Sequence, residues 1–170
     1  KGYEVGLSLV DNEKLEYCVE MIKKAEKLGK KLLLPLDTVV ADAFPQPIDG
    51  PISVEEVKVE AIPADKLGLD IGSLSCKLFT EAIATAKTVV WNGPMGVFEN
   101  PVLAKGTNAL AQAMAESDAI TIIGGGDSAA AVNQLGYGSR MSHISTGGGA
   151  SLEFLEGIEL PGVAAIADRD

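Results

Sequence analysis

The sequence predicts a doubly wound, Rossmann-like α/β fold, a parallel sheet flanked by helices, and three observations carry that reading. Short runs of Val, Ile and Leu alternate at least four times with segments of helical spacing. The connections between the runs are too long for hairpins, which calls for right-handed crossovers between parallel strands. Glycine-bearing turns follow several of the runs, and aromatics make up only 5% of a chain that is 46% hydrophobic. Such a composition suits buried parallel strands, and 170 residues suit one domain.

From Asp11 to Gly29, Leu15, Cys18, Val19, Ile22 and Ala25 follow helical spacing, with Gly29 as the stop. The leucine-rich run Lys31 to Asp37 reads as a buried strand, and Val39 and Val40 as a second extended piece. Residues 44–72 read as an excursion with a small hairpin or edge strands, ending in the turn Gly68 to Gly72. Ser73 or Ser75 then caps a helix with Phe79, Ala82, Ile83 and Ala86 on its inner face. Thr88 to Trp91 is the next strand. Pro101 suits the first turn of a helix burying Leu103, Thr107, Leu110 and Met114. Strands follow at Ala119 to Ile123 and His143 to Ser145, helices at Asp127 to Leu135 and Ala150 to Glu156, and Val163 to Ala167 reads as a closing strand.

A formal net charge of -10 opposes nucleic acid and anionic membranes as partners. The lysines at 23, 24, 30 and 31 read as the solvated face and last turn of a helix. Cys18 and Cys76 form no CxxC pair and share the chain with a single histidine, so zinc is not expected; their apolar neighbours suggest core packing in a reducing, cytoplasmic compartment. No apolar run is long enough to span a bilayer, and the first residues do not read as a signal peptide.

Three glycine-bearing junctions, Trp91 to Gly96, Gly124 to Ser128 and Ser145 to Ser151, each follow a predicted strand, so a parallel sheet would gather them along one edge. Glycine lets the backbone approach a ligand closely, and a following helix adds the positive end of its dipole, which together suit a polyphosphate. One triplet alone could equally serve close helix–strand packing. Neither a GK[ST] loop nor a dinucleotide fingerprint is present, which excludes a P-loop and a nicotinamide dehydrogenase.

The segments VVWNGPMGVFE, TIIGGGDSAAAV and SHISTGGGASLEFLEG, with GLDIG and LLPLDTVVADAF, resemble the nucleotide-binding motifs of phosphoglycerate kinases, in order and spacing and over essentially the whole chain. The resemblance implies the C-terminal, nucleotide-binding domain of a glycolytic kinase, which transfers a phosphoryl group reversibly from 1,3-bisphosphoglycerate to ADP with Mg2+. Family members are more than twice this length. The resemblance therefore implies an absent N-terminal domain that takes 3-phosphoglycerate or 1,3-bisphosphoglycerate, and an absent first strand and helix with a phosphate-binding lysine just before Lys1. The parent enzyme is expected to be a monomer and this chain to be inactive alone, with residues 2–9 loosely held. A stand-alone nucleotide-binding module or a non-catalytic folding fragment is the alternative.

On the same basis, Gly125, Gly126, Gly147, Gly148 and Gly149 are the anion-facing turns on which the transferring phosphoryl is stabilised, with Gly93 and Gly124 beside them. Asp127 is either a helix N-cap or the Mg2+ contact, and Ser128 adds a hydroxyl to phosphate or metal. Asn92 either donates to a phosphate or closes an Asx turn. Glu99 is either an exposed helix-start acid or the acceptor for ribose hydroxyls. Leu34, Gly68, Leu69 and Pro94 wall an apolar adenine slot, or are ordinary core and turn residues. His143 and Arg140 read as structural, because phosphoryl transfer from an acyl phosphate needs no strong base.

Overall fold

The computed structural model of the chain describes residues 1–145 and 147–166. In chain order its elements are α1 (Leu15–Lys27), β1 (Asp37–Ala41), β2 (Glu55–Lys58), β3 (Leu67–Ile71), α2 (Ser73–Ala84), β4 (Thr88–Asn92), α3 (Lys105–Glu116), β5 (Ile120–Gly124), α4 (Gly126–Gln134), β6 (His143–Ser145), α5 (Gly148–Leu155) and α6 (Pro161–Ala164). The fold is mixed α/β. β4, β5 and β6 form a parallel sheet in that order, flanked by helices. A second sheet, in the order β2-β1-β3, is antiparallel.

The main core lies where the parallel sheet meets its helices. Trp91 from β4 and Ile123 from β5 pack with Ile83 of α2, Leu110, Ala111 and Met114 of α3, and Val132 of α4. The stripe Thr107, Leu110, Ala111 and Met114 is buried along α3, as the helical spacing requires. A smaller cluster of Val39, Ala41, Leu69 and Leu103 packs on the antiparallel sheet.

Two buried carboxylates tie the halves together. Asp37, at the start of β1, accepts hydrogen bonds from the amides of Leu74 and Ser75, both at 2.8 Å, and from the Ser75 hydroxyl. It thus caps the first turn of α2 from another element. Burial pushes its carboxyl up, but the Ser75 hydroxyl and the two amides outweigh burial and hold it below the usual 3.8. Asp70 on β3 accepts from the amide of Gly106 at 2.8 Å, in the first turn of α3, and from that of Ile71 at 2.8 Å. Here burial wins and raises the carboxyl to about 6.

Several sequence expectations are corrected. Residues 31–36 form no strand; among the described residues their backbone finds no sheet partner, and the strand begins only at Asp37, where β2 and β3 supply one on each side. The Gly68 to Gly72 segment is largely strand β3, not a turn, because it pairs with β1 across an irregularity between Val39 and Val40. Neither Ser73 nor Ser75 caps α2: Gly72 holds the cap position and Asp37 supplies the acceptor.

The helix expected from Pro101 starts at Lys105. The buried Asn100 closes turns ahead of it, its Oδ1 accepting from Val102 and its Nδ2 donating to the carbonyls of Ile48 and Gly50. Of Val163 to Ala167, expected to be a strand, Val163 and Ala164 instead end the short helix α6, whose first position suits Pro161; Ala167 lies outside the described residues. Cys18 is exposed on α1, whereas Cys76 packs against the main core. Near the start of the chain, Leu7 donates to the Lys66 carbonyl at 2.8 Å and Ser8 accepts from Gly68 at 2.9 Å, so this stretch is tied to β3 more firmly than expected.

Asp37→Ala strips an acceptor from buried donors and should destabilise the chain by about 2–4 kcal/mol in urea unfolding. Asp70 makes an opposite prediction with pH. Because its carboxyl is raised from 3.8 to about 6, the folded chain holds a proton that the unfolded chain has released in that interval. Stability should therefore rise as pH falls from 6 toward 3.8, and Asp70→Asn should remove this rise from unfolding curves collected across that window. Below 3.8 the lowered Asp37 reverses the slope, since protonating it loses stability.

Candidate functional site at the strand ends

The parallel register places the candidate residues side by side. Asn92, the last residue of β4, pairs with Gly124, the last of β5, and Gly124 with Ser145, the last of β6. The three expected junctions thus leave one edge of the sheet at the same level. Gly125 leaves β5 at a φ of 97°, which favours glycine, and its amide donates to the Ser145 carbonyl at 3.1 Å. Gly148 packs directly on it: a Cβ at Gly148 would lie 2.7 Å from the Gly125 Cα. Asn92 completes the cluster, its Oδ1 lying 3.1 Å from where a Gly125 Cβ would be and 3.6 Å from that of Gly148.

Two helices therefore begin against each other. In α4 the first intrahelical bond runs from the Ala129 amide to the Gly125 carbonyl, so the amides of Gly126, Asp127 and Ser128 precede it. In α5 it runs from Ser151 to Gly147, leaving Gly148, Gly149 and Ala150 in the same position. Each such terminus carries roughly half a positive charge and suits an anion. Gly126 and Gly149 have no heavy atom within 4 Å of a built Cβ, so their backbones face open space. The Ser145 and Ser151 hydroxyls lie 3.0 Å apart, and Ser151 donates to the Gly147 carbonyl at 3.0 Å, fixing the turn into α5. These serines were absent from the expected site residues; serine on both sides of a glycine triplet was their signal.

Asp127 is exposed in the first turn of α4, and Gly125 rather than Asp127 holds the cap position, with no side-chain cap bond. Among the described residues no group of three acidic, histidine or cysteine side chains is placed to hold a metal. The donor set is one carboxylate beside open amides. That fits Mg2+ held mainly by phosphate oxygens and water, not a protein cage. Ser128 is buried, and its hydroxyl accepts from the Gly93 amide at 2.6 Å, joining α4 to the loop after β4.

That loop, residues 93–100, carries Gly93, Pro94 and Glu99. Trp91 Nε1 donates to the Gly93 carbonyl at 2.6 Å, and the Met95 amide donates to Thr107 Oγ1 at 3.0 Å. The Val97 amide donates to the Leu69 carbonyl at 3.1 Å, so the loop is stitched to β3. Gly68 and Leu69 line a cleft of about 610 Å³ with Met95, Gly96 and Val97. Leu34 lines an adjoining cleft of about 600 Å³ between α1 and α2, and the two clefts share Tyr3, Pro35 and Val59. Pro94 lines neither. His143 is exposed on β6, and Arg140 donates to the Ala115 carbonyl at 2.8 Å.

Fold and site together define an α/β domain with a parallel sheet, one edge of which gathers two helix starts and a stitched loop. The family model described as phosphoglycerate kinase matches residues 1–158, and the chain belongs to that family. It is 59% identical over 169 residues to a phosphoglycerate kinase of Clostridium novyi (strain NT), covering 99% of this chain and 42% of that protein. With that of Clostridium tetani (strain Massachusetts / E88) the identity is 57%, covering 99% and 41%. The solved phosphoglycerate kinase of Coxiella burnetii superposes with a TM-score of 0.86 at 39% identity, over 92% of this chain and 39% of that one. That of Pyrococcus horikoshii OT3 gives 0.69 at 31% identity, over 96% and 40%. The chain thus spans about two fifths of the length of these relatives.

The contacts of the glycines separate their roles. Gly148→Ala drives a Cβ into the Gly125 backbone and should destabilise the chain by about 1–3 kcal/mol in urea unfolding. Gly126→Ala and Gly149→Ala meet open space and should stay within about 0.5 kcal/mol of the parent.

Proposed function

We propose that residues 1–170 are the nucleotide-binding, C-terminal domain of a phosphoglycerate kinase, and that Mg-ADP or Mg-ATP lies across the strand ends with its phosphates toward the starts of α4 and α5. The observation that carries this reading is the stacking of Gly148 on Gly125, which sets two helix N-termini beside Asn92. Gly124, Gly125, Gly126, Gly147, Gly148 and Gly149 take the phosphate oxygens, and Asn92 donates its amide to one of them. Asp127 holds Mg2+, which when bound neutralises charge on the phosphates. Ser128, by its bond to Gly93, positions the loop for that role. Glu99 accepts from the ribose hydroxyls, and Gly68 and Leu69 wall the adenine slot, with Leu34 in the adjoining cleft; Pro94, which lines neither cleft, is left to shape the loop after β4.

The reaction is the reversible transfer of a phosphoryl group from 1,3-bisphosphoglycerate to ADP, giving 3-phosphoglycerate and ATP in cytoplasmic glycolysis. Such transfer relies on positioning and on amides aimed at the charge spreading over the phosphoryl oxygens, which these turns supply. The second substrate belongs to a further domain that closes over this one, and this chain alone turns over no substrate.

Calorimetry tests the reading. Mg-ADP should bind, NAD should not, and Asp127→Asn should weaken Mg-ADP roughly tenfold while affecting metal-free ADP less. Gly126→Ala and Gly149→Ala should lose affinity without losing stability. NAD binding tighter than Mg-ADP overturns the assignment, and binding of neither leaves a non-catalytic folding fragment.

A further inference from the structure

We propose that Asp70 is the positioning residue of the nucleotide site, holding the loop 93–97 in place through its buried carboxylate; the inference rests on the nucleotide reading above. Asp70 is only 4% exposed and touches three parts of the site. It lies on β3 directly after Gly68 and Leu69, its Oδ2 accepts from Gly106 at the start of α3, and the loop packs onto its other oxygen. Two glycines record how tightly. A Cβ on Gly96 would lie 2.5 Å from Asp70 Oδ1, and a Cβ on Gly106 2.4 Å from the same atom. Around this contact, Val97 donates to Leu69, and Met95 and Gly96 donate to Thr107. Gly96, in the middle of this loop, thus packs directly on the carboxylate, between bonds to Leu69 and Thr107.

Its charge state has consequences for that loop. An ionised carboxylate accepts from Ile71 through Oδ1 and from Gly106 through Oδ2, whereas a protonated one turns one of the two into a donor, either Oδ1 beside Gly96 or Oδ2 facing the Gly106 amide. The charged groups near it are few. Lys105 on α3 favours the anion, and Cys76 on α2, itself raised by burial to about 11, faces Asp70, Asp37 and Glu56 together. Residues 93–97 contain no titratable side chain. Trp91, the single tryptophan, donates to Gly93 at the base of this loop and so reports on it without any ligand.

The test follows Trp91 emission of the full chain from pH 8 to pH 4.5, and Mg-ADP affinity at pH 8. The parent should show a transition centred near 6, kept in His143→Gln and absent from Asp70→Asn. Asp70→Asn should also weaken Mg-ADP roughly five- to tenfold, the size expected for the loss of one ordinary intramolecular hydrogen bond. Ser75→Ala, destabilising but remote from the loop, should keep both the transition and the affinity. Should Asp70→Asn fail to fold, Gly96→Ala presses on the same contact from the loop side and must shift the transition. A parent without the transition, or an Asp70→Asn chain that keeps both transition and affinity, overturns the inference. A transition lost in Asp70→Asn alongside a parent that binds no Mg-ADP supports the loop contact and removes the nucleotide reading instead.

Discussion

Two carboxylates buried in the antiparallel sheet set the positions of the helices that cover the parallel one. Asp37 caps α2 and Asp70 caps α3, each from a strand far away in sequence. A helix N-terminus offers amides that must find acceptors, and a carboxylate supplies them with charge as well as geometry. The two groups resolve the cost of burial differently. Asp37 receives a hydroxyl and two amides and stays acidic, whereas Asp70 receives two amides, and burial raises it. Neighbouring backbone is shaped around both: a Cβ at Gly72 would strike the Asp37 carboxyl, as one at Gly96 or Gly106 would strike that of Asp70.

The candidate site inherits its precision from this arrangement and from the parallel register. With α3 held by Asp70, Thr107 takes the Met95 amide and the loop after β4 lies flat on β3. With β4, β5 and β6 in step, Asn92, Gly124 and Ser145 end level, and the glycines after them bring α4 and α5 to one point. Under the proposed nucleotide reading, phosphate binding by helix starts asks for little side-chain chemistry, which accords with the glycines that dominate this edge and the single carboxylate beside them.

Elsewhere the apolar pattern outruns the packing. Leu15 and Val19 on α1, and Leu32, Leu33, Leu34 and Leu36 after it, all remain exposed. Their leucine-rich spacing reads as buried structure, yet among the described residues no strand pairs with 31–36. Hydrophobic pattern shows which face is meant to be covered; it does not supply the cover.

Local signals in the sequence were enough for most elements of the fold. The helical stripe of α3, the strands at β4 and β5 and the glycine turns after them follow from spacing alone, because period and backbone freedom are local properties. The motifs VVWNGP, TIIGGGD and STGGGAS were sufficient to indicate the family. Only the tertiary structure decided that Gly68 to Ile71 is a strand, since its partner β1 lies some thirty residues earlier, and that Asp37 rather than a neighbouring serine caps α2. It also decided that Ser128 faces Gly93 and that Gly148 rests on Gly125. The physical reason is common to all four: a hydrogen bond or close contact between distant residues exists only once the strands bring them together, and no local spacing encodes it.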